Sequence, residues 1–231
     1  MFREATRVSM SLAPPMLVGM TGQRRTGKDT AGMHLKTRFG YVTTAFGDAI
    51  RAEAATHYEV PRHWFAVDRV KDQPFREVDA KLAARVSAAH GLPEDFSLRD
   101  LLLEVGARRR AEDPDYWIKR TLDFVHRTCA TGARVVVTDV RMPAEAEALR
   151  AAGGVLVQVR RVAGPGGEPQ IDAARADSDP TERNVRAISP DHVVHNPEGD
   201  IDTYLERLMA ALRPAARPVR EPRLARDGRL A

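Results

Sequence analysis

The segment Gly22-Gln23-Arg24-Arg25-Thr26-Gly27-Lys28-Asp29-Thr30 has the residue types and spacing of a phosphate-holding loop, G-x-x-x-x-G-K. Glycines let the backbone curl until successive N–H groups point inward at a β-phosphate. The N-terminus of a following helix adds positive potential, and the Lys28 ammonium reaches the β- and γ-oxygens. All nine residues are therefore candidate nucleotide contacts. The alternative is a Gly-rich turn with Lys28 in solvent, and the order of strand, loop and helix argues against it. The residue after the lysine is normally Ser or Thr, whose hydroxyl binds Mg²⁺, but here it is Asp29 with Thr30 behind it. Asp29 could hold the ion directly or through water, and Thr30 could contact an α-phosphate.

Such a loop needs a carboxylate at the end of a neighbouring strand to position a metal or its waters, and Asp139 follows the apolar run Val135-Val136-Val137. It is the second candidate metal ligand. Two residues on, Arg141 can clamp phosphate oxygens in a bidentate way. The competing reading has Asp139 capping the next helix and Arg141 pairing with Glu145, which itself favours a first helical turn. Asp48 either caps its own helix or faces the phosphates, with Arg51 one turn further on. Trp64 and Trp117 read as core before they read as platforms for a base. The seven His form no motif.

The elements that must hold these residues alternate between strand and helix. An apolar run over 16–21 predicts a strand buried on both faces, and Ala31, Leu35 and Phe39 at spacing four predict the helix after the loop, stopped by Gly40. Residues 41–46 predict a second strand, and Asp48 opens a helix through His57. The stretch 58–132 reads as a helical insert, with helices over 78–90, 98–110 and 115–131. Strands follow at 134–138, ending in Asp139, at 155–159 and at 192–195, and a helix at 201–212 closes the fold. Five strands separated by helices predict an α/β fold with a parallel sheet, whose ligands bind at the strand carboxyl ends. The Gly- and Pro-rich stretch 161–179 suits a mobile lid bearing Arg161 and Arg175, with Arg160 and Arg183 beside it. Asp179 and Glu182 then form a helix start. Residues 1–15 read as a flexible arm, 16–212 as the folded domain and 213–231 as a disordered tail.

With 231 residues, 43% apolar and 29% charged, the composition is that of one globular domain. The net charge of +4 lies in the tail, where six Arg face Glu221 and Asp227 from residue 213 onward, so the body is neutral. A tail contact with nucleic acid is conceivable, but solvation is the ordinary role of such a segment. Arg outnumbers Lys by 31 to five, a compositional habit that makes each lysine more informative than each arginine. The single Cys129 excludes an intrachain disulfide, and no Cys/His cluster offers zinc ligands. No run approaches the roughly 20 apolar residues of a membrane span, so a cytoplasmic protein is expected.

Five segments together resemble the deoxynucleoside monophosphate kinases of tailed phages, within the P-loop nucleoside monophosphate kinase fold. They are the GKDT loop at 27–30, Phe46-Gly47-Asp48-Ala49-Ile50-Arg51, the L-x-x-x-G and D-P-D-x-W pattern over 102–117, Thr138-Asp139-Val140-Arg141-Met142-Pro143 with Glu145 and Glu147, and Gly153-Gly154 with Arg160. The resemblance covers about residues 16–212 and is loose over 58–96. It implies transfer of the γ-phosphoryl group of ATP, with Mg²⁺, to a deoxynucleotide monophosphate, in a host cytoplasm if phage-encoded. Lys28 would contact the transferred group, Arg51 and Arg141 the acceptor phosphate, and Arg110 and Lys71 the substrate. Gly47 and Ala49 stand where the family has Ala and Pro, and Asp179 with Glu182 where it has an acidic pair. Phosphomevalonate kinases share the GKD loop and dephospho-coenzyme A kinases the fold, so the acceptor class stays open, as does a homodimer. A nucleotide or nucleic-acid binder without turnover is the reading from another class.

Overall fold

A computed structural model describes residues 15–163 and 180–213. Five strands form one parallel sheet, as the alternating pattern predicts, and their order is β2-β3-β1-β4-β5. They are β1 (Leu17–Thr21), β2 (Val42–Thr44), β3 (Val135–Val140), β4 (Val155–Val162) and β5 (His192–Pro197). β1 lies at the centre with all five residues buried, which is why it reads as a continuous apolar run rather than an alternating one. Thr21 at its end pairs with Val140 at the end of β3, so the loop after β1 emerges beside Asp139 and Arg141.

Helices cover both faces. On one side α1 (Lys28–Phe39) and α9 (Ile201–Leu212) bury Ala31, Leu35, Tyr204 and Leu208 against Val18, Met20, Val136 and Val157. On the other, α6 (Tyr116–Ala130), α7 (Pro143–Ala151) and the segment after α8 (Pro180–Ala187) bring Val125, Leu149 and Ile188 onto Leu17, Val135 and Leu156. A third core lies off the sheet. There α2 (Phe46–His57), α4 (Ala80–His90) and α5 (Leu98–Glu112) enclose Phe65, Phe75, Phe96 and Trp117, with the short α3 (Asp68–Lys71) at its edge. α4 and α5 start where sequence chemistry places caps: Asp79 accepts from the Leu82 N–H, and Ser97 from that of Asp100.

Several boundaries differ from expectation, three of them next to the loop after β1 or its partner strands. β2 is only three residues long, because Phe46 already begins α2. β3 continues through Val140, so Asp139 lies inside the strand. β4 runs to Val162, and Arg161, expected at the start of a lid, pairs with Asn196 in the sheet. The rest of that lid, with Arg175 and Asp179, falls outside the described residues, as do most of the N-terminal arm and the tail beyond Arg213. α6 also belongs to two cores, since Trp117 packs in the helical insert and Val125 against the sheet. Among the described residues no helix is long and apolar enough to cross a membrane.

Candidate functional site

The loop leaves β1 at Gly22 with a φ of 140°, and a Cβ there would lie 2.4 Å from the Val159 carbonyl oxygen. Arg25 takes a φ of 60°, which costs a non-glycine residue free energy, and Gly27 a φ of 105°. These turns bring Thr26 Oγ1 to donate to the Gln23 carbonyl at 3.0 Å. Lys28 Nζ donates to the Gly22 and Gln23 carbonyls at 2.7 and 2.5 Å. Lys28 is only 7% exposed, so its charge lies within the loop and not in bulk water. Asp29 and Thr30 open on a cavity of about 450 Å³, shared with Arg25, Arg161 and the turn from β5 into α9. That volume falls in the range of small-molecule sites, about 300–1,000 Å³.

Beside the loop stand two half-buried carboxylates. Asp139 Oδ1 accepts from the Phe46 N–H at 2.6 Å and Oδ2 from that of Gly47 at 3.0 Å. It caps a helix, as the competing sequence reading allows, but the helix is α2 and not the one that follows. Ala45, in the N-cap position of α2, has no oxygen to offer, so a carboxylate 93 positions away satisfies the first amides. Burial pushes the Asp139 pKa up, against those two bonds and the charges of Arg141 and Arg51. Glu145 Oε2 accepts from the backbone N–H groups of Arg141 at 2.8 Å and Met142 at 3.0 Å, so it caps α7 itself. Burial raises its pKa to about 7, with the Asp139 charge adding and Arg110 opposing.

The charges of Arg51 on α2 and of Arg141 in the turn after β3 bear on Asp139, and that of Arg110 on α5 bears on Glu145. Asp48 caps its own helix, accepting from the Ala45 N–H at 2.9 Å while holding Arg51 at 2.9 Å. Lys71 is not in this group. It stands with Arg24 near Asp72, whose pKa is lowered first by its hydrogen bond to Arg99 and further by the charges of Arg99, Arg24 and Lys71. Arg160 is tied to Gln158 at 2.8 Å, and Arg161 reaches Glu198 at 3.4 Å. Trp117 is core, donating from its indole nitrogen to the Gly106 carbonyl at 3.1 Å.

Sequence reasoning misses several residues at this end of the sheet. Asn196 donates to the Thr26 carbonyl at 2.8 Å, and the Tyr204 hydroxyl to that of Gly27 at 2.9 Å. Arg186 lines a second cleft of about 270 Å³ with Gly22, Gln158 and Arg160. Arg62 approaches Asp48 at 3.7 Å. None belongs to a local motif, and β5 carries His192 and His195 as well as Asn196, so nothing local singles Asn196 out.

Among the described residues no three His, Cys, Asp or Glu side chains form a metal-holding cluster. The donor set still fits a Mg²⁺ bound largely by nucleotide phosphates, since such ions take one or two protein carboxylates. Asp29 lines the cavity, whereas the oxygens of Asp139 already serve α2.

No protein-family model matches the chain, and no curated protein matches it in sequence. Among solved structures, a sugar kinase from Janibacter sp. aligns over 86% of this chain and 95% of its own, at 14% identity and a TM-score of 0.44. A shikimate kinase from Aquifex aeolicus aligns over 85% and 96%, at 14% identity and a TM-score of 0.37. Likeness at that level carries no functional argument, so function rests on the geometry of this chain.

Proposed function

We propose that the protein is an ATP-dependent kinase that phosphorylates a nucleoside monophosphate, with a deoxynucleotide as the preferred acceptor. The observation that best supports this reading is that the loop holding the buried Lys28 leaves β1 beside the end of β3, where the charges of Arg51 and Arg141 bear on Asp139 and that of Arg110 on Glu145. One anion site beside another is what transfer between two phosphates needs.

A phosphate monoester is largely dianionic at neutral pH, its second pKa being about 6, so no general base is required. An acceptor oxygen attacks the γ-phosphorus in line, the bond to the β-bridging oxygen breaks, and ADP leaves. The obstacle is repulsion between anions, which preorganised positive charge offsets. Lys28 would exchange its two loop carbonyls for β- and γ-oxygens. Arg51 and Arg141 would hold the acceptor phosphate, with Arg110 beside them. Asp139 would keep α2, and with it Arg51, at the required angle, and could reach a metal through water. Mg²⁺, when bound, would neutralise charge on the ATP phosphates, with Asp29 as its protein ligand. The 450 Å³ cavity would take the nucleoside of ATP.

The test is ADP release from ATP with each common deoxynucleoside and ribonucleoside monophosphate, beside phosphomevalonate and dephospho-coenzyme A. Acceptor-dependent turnover with a deoxynucleotide is expected, lowered by at least about 100-fold in Lys28→Ala. Turnover with only the last two acceptors would reassign the substrate. ATP binding with no acceptor-dependent turnover would refute the kinase.

A further inference from the structure

The grip on the phosphate loop from behind has no part in the sequence motif. Asn196 ends up under the loop on β5 and Tyr204 on α9, at 8% and 0% exposure. Each donates to a carbonyl of the loop's last turn, Asn196 to Thr26 and Tyr204 to Gly27. Gly27 is shaped to this contact, because a Cβ there would lie 2.4 Å from Asn196 Nδ2.

A trans peptide is planar, so its C=O and the following N–H point in opposite directions. Every described peptide bond here is trans. Holding the Thr26 carbonyl toward Asn196 therefore turns the Gly27 N–H away from β5. Holding the Gly27 carbonyl toward Tyr204 turns the Lys28 N–H away from α9, and the Ala31 N–H shares that carbonyl at 3.0 Å. These amides head α1, where an anion would meet them.

We propose that Asn196 and Tyr204 are positioning residues, which fix the direction of the Gly27 and Lys28 amides for a bound polyphosphate. The inference rests on the nucleotide reading of the loop. Both residues also border the cavity assigned to the nucleoside, so the turn that would touch the nucleoside is the one that orients the phosphate amides.

The experiment titrates the full-length protein with Mg²⁺-ATP and with Mg²⁺-tripolyphosphate, which lacks a nucleoside, and records thermal unfolding of each variant. Tyr204→Phe removes one hydroxyl and keeps the ring. It should weaken both ligands by about 3- to 10-fold, the range for losing one hydrogen bond, with the acceptor KM unchanged. Asn196→Asp, which sets an oxygen against the Thr26 carbonyl, should weaken both further. Amide hydrogen exchange at Gly27 and Lys28 in free Tyr204→Phe should be faster than in the parent. Tripolyphosphate binding equal to the parent's in Tyr204→Phe overturns the inference, whatever happens to its unfolding temperature. A parent that binds neither ligand overturns the nucleotide reading beneath it.

Discussion

Glu145 shows how one residue can be read correctly in position and incompletely in role. Its place four residues after Arg141 suggests a helix start or an ion pair, and the helix start is what the structure has, through two backbone N–H groups. Its burial beside Asp139 has no sequence signature, because it depends on strand β3 and helices α2 and α5 meeting. The consequence is a pH dependence with a definite sign. The folded-state pKa, about 7, lies above the ordinary 4.5, so the folded protein holds a proton there that the unfolded chain releases. This contribution is full below about 4.5 and is lost as pH rises through 7. In Glu145→Gln one amide oxygen can still accept both N–H groups while the titration disappears. Urea unfolding from pH 5 to 8 should therefore show the variant gaining on the parent up to about pH 7, by on the order of 1–3 kcal/mol, then levelling. A difference constant with pH would contradict this origin.

At the scale of elements, apolar runs and caps predict most of what forms. The run Val135-Val136-Val137 becomes β3, Gly40 stops α1 with a φ of 69°, and residues 201–212 form α9 with the expected bounds. What local pattern cannot supply is the partner of a capping group: Asp139 serves a helix that begins at Phe46, and nothing near either residue announces the pairing. Trp117 tests the insert in the same way. An aromatic in a helical stretch is either core or a stacking surface, and its 4% exposure and its bond to Gly106 make it core. Trp117→Phe should thus lower stability by about 1–3 kcal/mol, from lost volume and one lost hydrogen bond, with nucleotide and acceptor KM values unchanged. Denaturant unfolding beside steady-state kinetics checks both halves.

For the whole molecule, charge is spread unevenly along the sequence. The excess of positive charge falls beyond residue 212, while the last buried side chain of α9 is Leu212. Deleting residues 214–231 should leave the unfolding temperature and the proposed phosphotransfer rate within error of the parent, and a loss of turnover would tie that segment to the reaction. The five-stranded order was legible only as a count of strands, since the position of β1 between β3 and β4 depends on pairings between distant segments. The long-range grip on the phosphate loop carries a further consequence, for biosynthesis. Thr26 and Gly27 lie 170 and 177 positions before the residues that hold them. A chain emerging from the ribosome completes its Walker-type turn early but lacks its supports until Tyr204 has cleared the exit tunnel. If the loop holds ATP as proposed, the nascent chain would bind it more weakly until synthesis has passed Tyr204.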